Sequence, residues 1–344
     1  MPDHIGHCCR LSLLIMFFKT IFCFCLILQT GLLSAQKKDK PTPIIFDSDM
    51  GPDYDDVGAI TLLHAFADSG YIKILATVAS TKYEGVAAVF NVLNTYFKRP
   101  GILIGVPKGK ALELKDKQHW TDSLLRKYPH KIKTNDEVND AIEVYRKTLA
   151  TQPGKSVIII TVGFLTNLSA LLQSKPDKYS KLDGKELVKQ KVKQLVCMAG
   201  RFPLGSEFNI RMDAGASQFV FDNWKTPVLL SGVEIGFKIK TGLPLVNNIA
   251  IQNSPVKDVF RISIPLDPQD SAGRMSWDET AVLIAVKGYK PWYNIEKGKM
   301  KVNHDGSNGW TKDSLNHSYL MEKQSPLVVQ QLINALLMHQ PMKK

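Results

Sequence analysis

At 344 residues, 44% hydrophobic and 22% charged, the chain has the composition of a globular protein, which excludes fibrous and low-complexity architectures. Its formal net charge of +12 would suit an acidic partner, but the lysines are scattered. The short runs at 37–38, 189–193 and 297–301 carry no interleaved aromatic residues, so no nucleic-acid surface is expected and the charge reads as solubility.

The first element is an almost wholly apolar run at 11–33, followed by "LLSAQ" with the small residues Ser34 and Ala35. This is the pattern of an export signal cleaved near Ala35. The run is long for such a signal, so an uncleaved anchor is the alternative; Met16 opens a compact signal by itself and is an alternative start. Cleavage would remove Cys8, Cys9, Cys23 and Cys25, leaving Cys197 in the apolar run "QLVCMAG" as a core residue. The expected product is a periplasmic or secreted protein without a stable membrane anchor. Its single domain, 36–344, is long enough to build a core without disulfides.

Strands are expected at 43–46, 72–78, 102–106, 156–162, 194–198 and 227–231, and helices at 55–69, 84–97, 136–150, 165–174 and 214–224. The strands are mostly continuous Val, Ile and Leu runs, as in strands covered on both faces. Their alternation with helices predicts a mainly parallel α/β sheet, with ligands beyond the carboxyl ends of its strands.

Four polar clusters stand out, most of them at or just after such ends. The first, "FDSDMGPDYDD" (46–56), holds Asp47, Asp49, Asp53, Asp55 and Asp56. Asp47 and Asp49, two apart on an extended chain, share a direction. Asp55 and Asp56 open a helix, whose dipole favours negative charge, and Gly51 and Pro52 make the turn between. Dipole and amides can satisfy one or two of these carboxylates, hardly four, so a hard divalent cation with its shell of oxygens is expected. A strand end and helix cap with solvated acids is the plainer alternative. An EF-hand fails on spacing, because Gly51 falls one position early and Gly58 stands where the closing Glu is required. Haloacid dehalogenase phosphatases also open with Asp-x-Asp, but there a Thr or Val usually stands at Gly51's place, and no downstream Lys and acidic pair is clearly placed.

The second cluster, "TVGFLTNLSALL" (161–172), runs from strand through a Gly turn into a helix. In the third, "GRFPLGSEFNIRMDAGAS" (200–217), Glu207 and Asn209 alternate across Phe208, either reaching into one pocket or facing water. In the fourth, "MSWDETAVLIAV" (275–286), Trp277 precedes Asp278, which caps an apolar helix and as a cap needs no further role.

In this order the four clusters resemble the nucleoside hydrolase family, inosine–uridine-preferring type, from Pro43 to about Gly288. "DSDMGPDYDD" is similar to the family's Asp-x-Asp and Asp-Asp signature in a longer variant, "VGFLTN" to its Gly-x-Leu-Thr-Asn turn, "EFN" to its Glu-x-Asn, and "WDETAV" to its late metal Asp. The resemblance implies an open, mostly parallel α/β fold, a homo-oligomer, and hydrolysis of a nucleoside or related ribosyl substrate with Ca²⁺. It implies that Asp49, Asp56, Asp278 and the backbone carbonyl of Val162, where Thr is usual, bind the ion. Asp55, Glu207 and Asn209 would bind the sugar hydroxyls, and Asp47 would brace the site from behind. The reaction passes through an oxocarbenium-like sugar that carboxylates stabilise, and Asp49 would take the proton of the attacking water.

Three departures bear on the substrate. Arg201 stands where the family often places an Asn against the sugar, and the loop with Lys82 lacks the usual Gly-Asn, so both are candidate contacts to a modified or larger group. Trp277 replaces the His that protonates the leaving base in many members. An indole cannot supply that proton but can stack on a purine, so purine nucleosides are expected to be preferred. The departures at Lys82 and Arg201 also motivate an alternative, a Ca²⁺-dependent sugar- or nucleoside-binding protein without hydrolysis, against which the retained Asp49 counts weakly. The polar segment 303–317 reads as a surface hairpin or loop, with His304, Trp310 and His317 as lesser candidates for contact.

Overall fold

The computed structural model describes residues 40–342, so the expected leader lies outside the described residues. Among these, no helix is long and apolar enough to cross a membrane. Strands β1 (Thr42–Ser48), β2 (Ile72–Ala79), β3 (Leu103–Val106), β4 (Asn139–Asp140), β5 (Val157–Thr161), β6 (Val192–Met198), β7 (Gly205–Ser206) and β8 (Val228–Ser231) alternate largely with helices. The short β9 (Lys240–Thr241) and β10 (Arg274–Met275) pair with each other, and β11 (Tyr293–Val302), β12 (Ser307–Thr311) and β13 (His317–Glu322) follow. The main sheet is open, ordered β4-β3-β2-β1-β5-β6-β8-β13-β11-β12-β7. Every neighbouring pair from β4 to β13 is parallel, and the β11, β12 and β7 edge is antiparallel.

β1 sits between β2 and β5, so both of its edges are paired and nearly all of it is buried. Ile44 and Phe46 join the core under helices Asp55–Asp68 and Val86–Tyr96, while Ile45 joins the core on the opposite face, under Ala141–Ala150 and Thr166–Gln173. This explains the run's unbroken apolarity. Helix Asp55–Asp68 is buried from Asp55 to Phe66 and packs against helix Trp277–Lys287. Gly58 allows that approach: a Cβ there would lie 1.9 Å from Glu279 Oε1. The acidic first turns of two helices far apart in sequence are thereby brought together.

All six expected strands form, with ends shifted by a residue or two. The helix expected over 136–150 begins only at Ala141. A capping box between Thr134 and Glu137 closes a short 3₁₀ turn, Asn139–Asp140 then adds a strand to β3, and Asp140 caps the helix by accepting from the Ile142 N–H at 2.8 Å. The segment 303–317 supplies the turn and second strand of a hairpin, β11–β12, with Gly306 in the left-handed region at φ 79°. Sequence reading did not anticipate that β13 and β11 extend the main sheet beyond β8.

Candidate active site

A cavity of about 500 Å³ opens beyond the carboxyl ends of β1, β5 and β6. It lies where the chain order reverses about β1, the place such sheets favour for ligands. Asp49, Asp55, Val162, Glu207, Asn209, Trp277 and Asp278 all line it. Asp56 lies just behind: it is fully buried and accepts from the Ser48 hydroxyl through Oδ1 at 2.5 Å.

The acids at its floor are short of partners. Asp49 Oδ2 and Asp56 Oδ2 are buried with no hydrogen-bond donor. Burial, then the neighbouring aspartates, pushes the Asp49, Asp56 and Asp278 carboxyls well above the usual carboxylate range. Among the described residues no three His, Cys, Asp or Glu side chains already stand in the arrangement of an ion's shell. The all-oxygen donor set and the two orphaned oxygens nevertheless fit a hard cation chemically.

Glu207 and Asn209 reach the cavity differently from the expected strand alternation. Glu207 caps the short helix Phe208–Met212: its Oε1 accepts from the Asn209 N–H at 2.7 Å, and Oε2 accepts from those of Gly200 and Ile210 at 3.2 Å each. Asn209, in the first turn, donates Nδ2 to the Val162 carbonyl at 2.9 Å and to the Met198 carbonyl at 3.3 Å. Its amide oxygen is thereby oriented, and the β5 and β6 ends are tied together.

Asp47 is fully buried and, unlike Asp49, does not line the cavity. Its Oδ2 accepts from Tyr145 Oη at 2.7 Å and Asn167 Nδ2 at 3.1 Å; burial outweighs these bonds and lifts its pKa to about 7. Lys82 and Arg201 are also outside the lining. Lys82 Nζ instead donates to the Gly109 carbonyl at 3.2 Å and pairs with Glu113 at 3.5 Å, while its backbone N–H bonds Leu112. It therefore clamps the loop that carries Leu114, Lys115, Lys117 and Gln118 to the rim. Arg201 is exposed beside the β7–β12 edge, its backbone bonded in both directions to the Asn308 side chain. His304, Trp310 and His317 do not line the cavity either; Trp310 packs edge-on to Phe202 and Tyr319.

Sequence reading missed Arg274. It lines the cavity, is only 5% exposed, and donates Nε and Nη2 to Asp55 Oδ1 at 3.1 and 2.8 Å. Its guanidinium lies 4.8 Å from the Tyr54 ring and 5.0 Å from the Trp277 ring, and Trp277 Nε1 donates to the Val233 carbonyl at 2.8 Å. Trp277 thus faces the cavity with its N–H bonded and a cation against its ring. Glu279, whose two carboxyl oxygens are buried without partners, was also missed. Its signal was present: it follows Asp278 in the turn that meets the Asp55–Asp56 helix.

The open, mostly parallel sheet thus carries an acid-lined cavity at the ends of β1, β5 and β6. The solved structures agree in fold. A plant nucleoside hydrolase superposes with a TM-score of 0.66 at 19% identity, covering 87% of this chain and 99% of that one. A purine-preferring ribonucleoside hydrolase from Gardnerella vaginalis also gives 0.66, at 16% identity over 86% and 99%. The chain belongs to the inosine-uridine preferring nucleoside hydrolase family, whose model matches residues 44–330. Among curated relatives, the pyrimidine-specific ribonucleoside hydrolase RihA of Salmonella enteritidis is 26% identical over 228 residues, 63% of this chain and 68% of that protein. The chain's class of activity is accordingly N-ribosyl hydrolysis.

Proposed function

We propose that the protein hydrolyses the N-glycosidic bond of ribonucleosides to free base and ribose, with Ca²⁺ held by Asp49, Asp56, Asp278 and the Val162 carbonyl. The observation that carries the reading is the pair of buried, unpartnered oxygens, Asp49 Oδ2 and Asp56 Oδ2, at the floor of the cavity. Bound there, the ion would supply Lewis-acid polarisation of water and an anchor for the sugar diol.

The chain's own groups account for the rest. Asp55 and the Asn209 amide oxygen accept sugar hydroxyls, and Glu207 turns the remaining acceptor capacity of its carboxylate to the same sugar. The cavity's carboxylates stabilise the positive charge that develops on the ring as the base departs. Asp49 takes the proton of the attacking water. Asp47 holds the strand end in place through Tyr145 and Asn167. The proposal includes export, on the strength of the apolar run and small residues at 11–35.

The purine preference expected from Trp277 is not carried forward. Stacking on the indole was its basis; Arg274 lies against one side of that ring, and a pyrimidine can stack on an indole as a purine can. The Salmonella relative is itself named for pyrimidines, so both inosine and uridine are proposed as substrates. Incubating the purified protein with inosine, adenosine, uridine and cytidine, with Ca²⁺ or with chelator, tests the reading. Equimolar base and free ribose, lost on chelation, support it; no ribose from any of them contradicts it.

A further inference from the structure

Asp55 is held on both of its oxygens. Oδ1 takes two donors from the Arg274 fork, and Oδ2 takes the Asp278 backbone N–H at 3.3 Å. An ionised carboxylate offers about four lone-pair sites, so three are filled and one, on Oδ2, is left at the cavity wall. The fork is itself immobilised. Arg274 Nη2 pairs with Asp53 Oδ1 at 2.6 Å, Nη1 stands 3.6 Å from Asp270 Oδ2, and the guanidinium plane lies against the Tyr54 and Trp277 rings. Tyr54 in turn donates its hydroxyl to Asp270 at 2.5 Å. The effect is to fix one carboxylate plane next to a cavity.

We propose that Arg274 is a positioning residue for the sugar: its fork sets Asp55 so that the remaining Oδ2 site accepts one ribose hydroxyl, and this pair sets discrimination against the sugar lacking that hydroxyl. The inference rests on the ribonucleoside reading above. Both Arg274 donors converge on Oδ1 while the Asp278 N–H holds Oδ2. A lysine would retain the charge but, as a flexible point donor, lacks the planar pair of N–H groups that fixes Oδ1. Arg274 touches no substrate atom in this account; it acts through Asp55.

The test compares kcat/KM for a ribonucleoside and its 2′-, 3′- and 5′-deoxy analogues in wild type, Arg274→Lys, Arg274→Ala and Asp55→Asn. The ratio of two substrates on one enzyme preparation does not depend on how much of it is folded, so partial unfolding of Arg274→Ala does not spoil the comparison. Asp55→Asn should lose discrimination at one hydroxyl. Arg274→Lys and Arg274→Ala should lose it at the same hydroxyl, by about tenfold or more, the scale of one hydrogen bond to a charged group. The other two hydroxyls should be felt as in wild type. If the Arg274 variants lower every substrate equally, Arg274 is merely structural and the inference is overturned. If Asp55→Asn keeps all three discriminations, the sugar role of Asp55 falls and the inference with it. If the wild type cleaves no ribonucleoside, the failure belongs to the functional reading itself.

Discussion

Ser48 donates its hydroxyl to Asp56 Oδ1 at 2.5 Å and accepts the Met50 N–H through the same oxygen at 3.0 Å, which leaves Asp56 Oδ2 facing the cluster without a donor. A buried carboxylate oxygen in that condition carries the full penalty of desolvation. Asp49 Oδ2 shares the condition.

A cation between them would relieve both penalties and bind only the folded chain. Exhaustive chelation is therefore expected to lower the melting temperature, and Ca²⁺ at a hundredfold excess over Kd to restore about 2.7 kcal/mol, on the order of 5 °C for a domain of this size. Differential scanning calorimetry on demonstrably metal-free protein checks this. Identical curves with and without Ca²⁺ would remove the ion from the account.

Lys82 and Arg201 are expected to matter little for turnover. Neither lines the cavity, and the Lys82–Glu113 pair is partly exposed, a class of ion pair that contributes at most about 1 kcal/mol. Alanine at either position should leave kcat/KM for ribonucleosides within about fivefold of wild type, the scale of that energy. A loss of a hundredfold at either would show that it reaches the substrate.

These two residues also mark how far sequence carries. Clusters that are local in the chain were legible, because a strand end, a glycine turn and a helix first turn fix side-chain directions within a few residues. Asp49, Asp55, Asn209 and Asp278 could be found that way. Lys82 and Arg201 stand near strand ends too, but their side-chain directions depend on the 107–118 loop and the β7–β12 edge, which carry no local signal. Arg274 meets Asp55 across 219 residues, a contact that only tertiary packing creates. The β11–β13 edge was missed for a similar reason. Its strands are mixed polar and apolar, with a burial pattern less regular than that of the central ones.

His64 offers a pH test remote from the cavity. Burial, with a smaller contribution from Arg99, lowers its pKa from 6.5 to about 3; Nε2 is bonded to Asn94 Oδ1 and the ring is stacked on Phe97. The unfolded chain takes up a proton near pH 6.5 that the folded chain refuses until about pH 3, so stability is lost as pH falls through that window. Relative to His64→Gln, the wild type should lose about 2 kcal/mol of unfolding free energy between pH 7 and pH 5. Urea titrations of both proteins across that range measure it. A difference that does not change with pH would mean that His64 is not held neutral.

The central claim is that Asp49, on the floor of this cavity, drives attack of water on the sugar of a ribonucleoside. The most direct measurement is the rate of free ribose release from inosine and uridine by wild type and by Asp49→Asn, in parallel and with Ca²⁺ present. The account predicts stoichiometric base and ribose from the wild type. It also predicts a rate lower by about a hundredfold or more in the variant, the usual scale for a general base, with nucleoside binding retained. Ribose release at a near-normal rate from Asp49→Asn would contradict it.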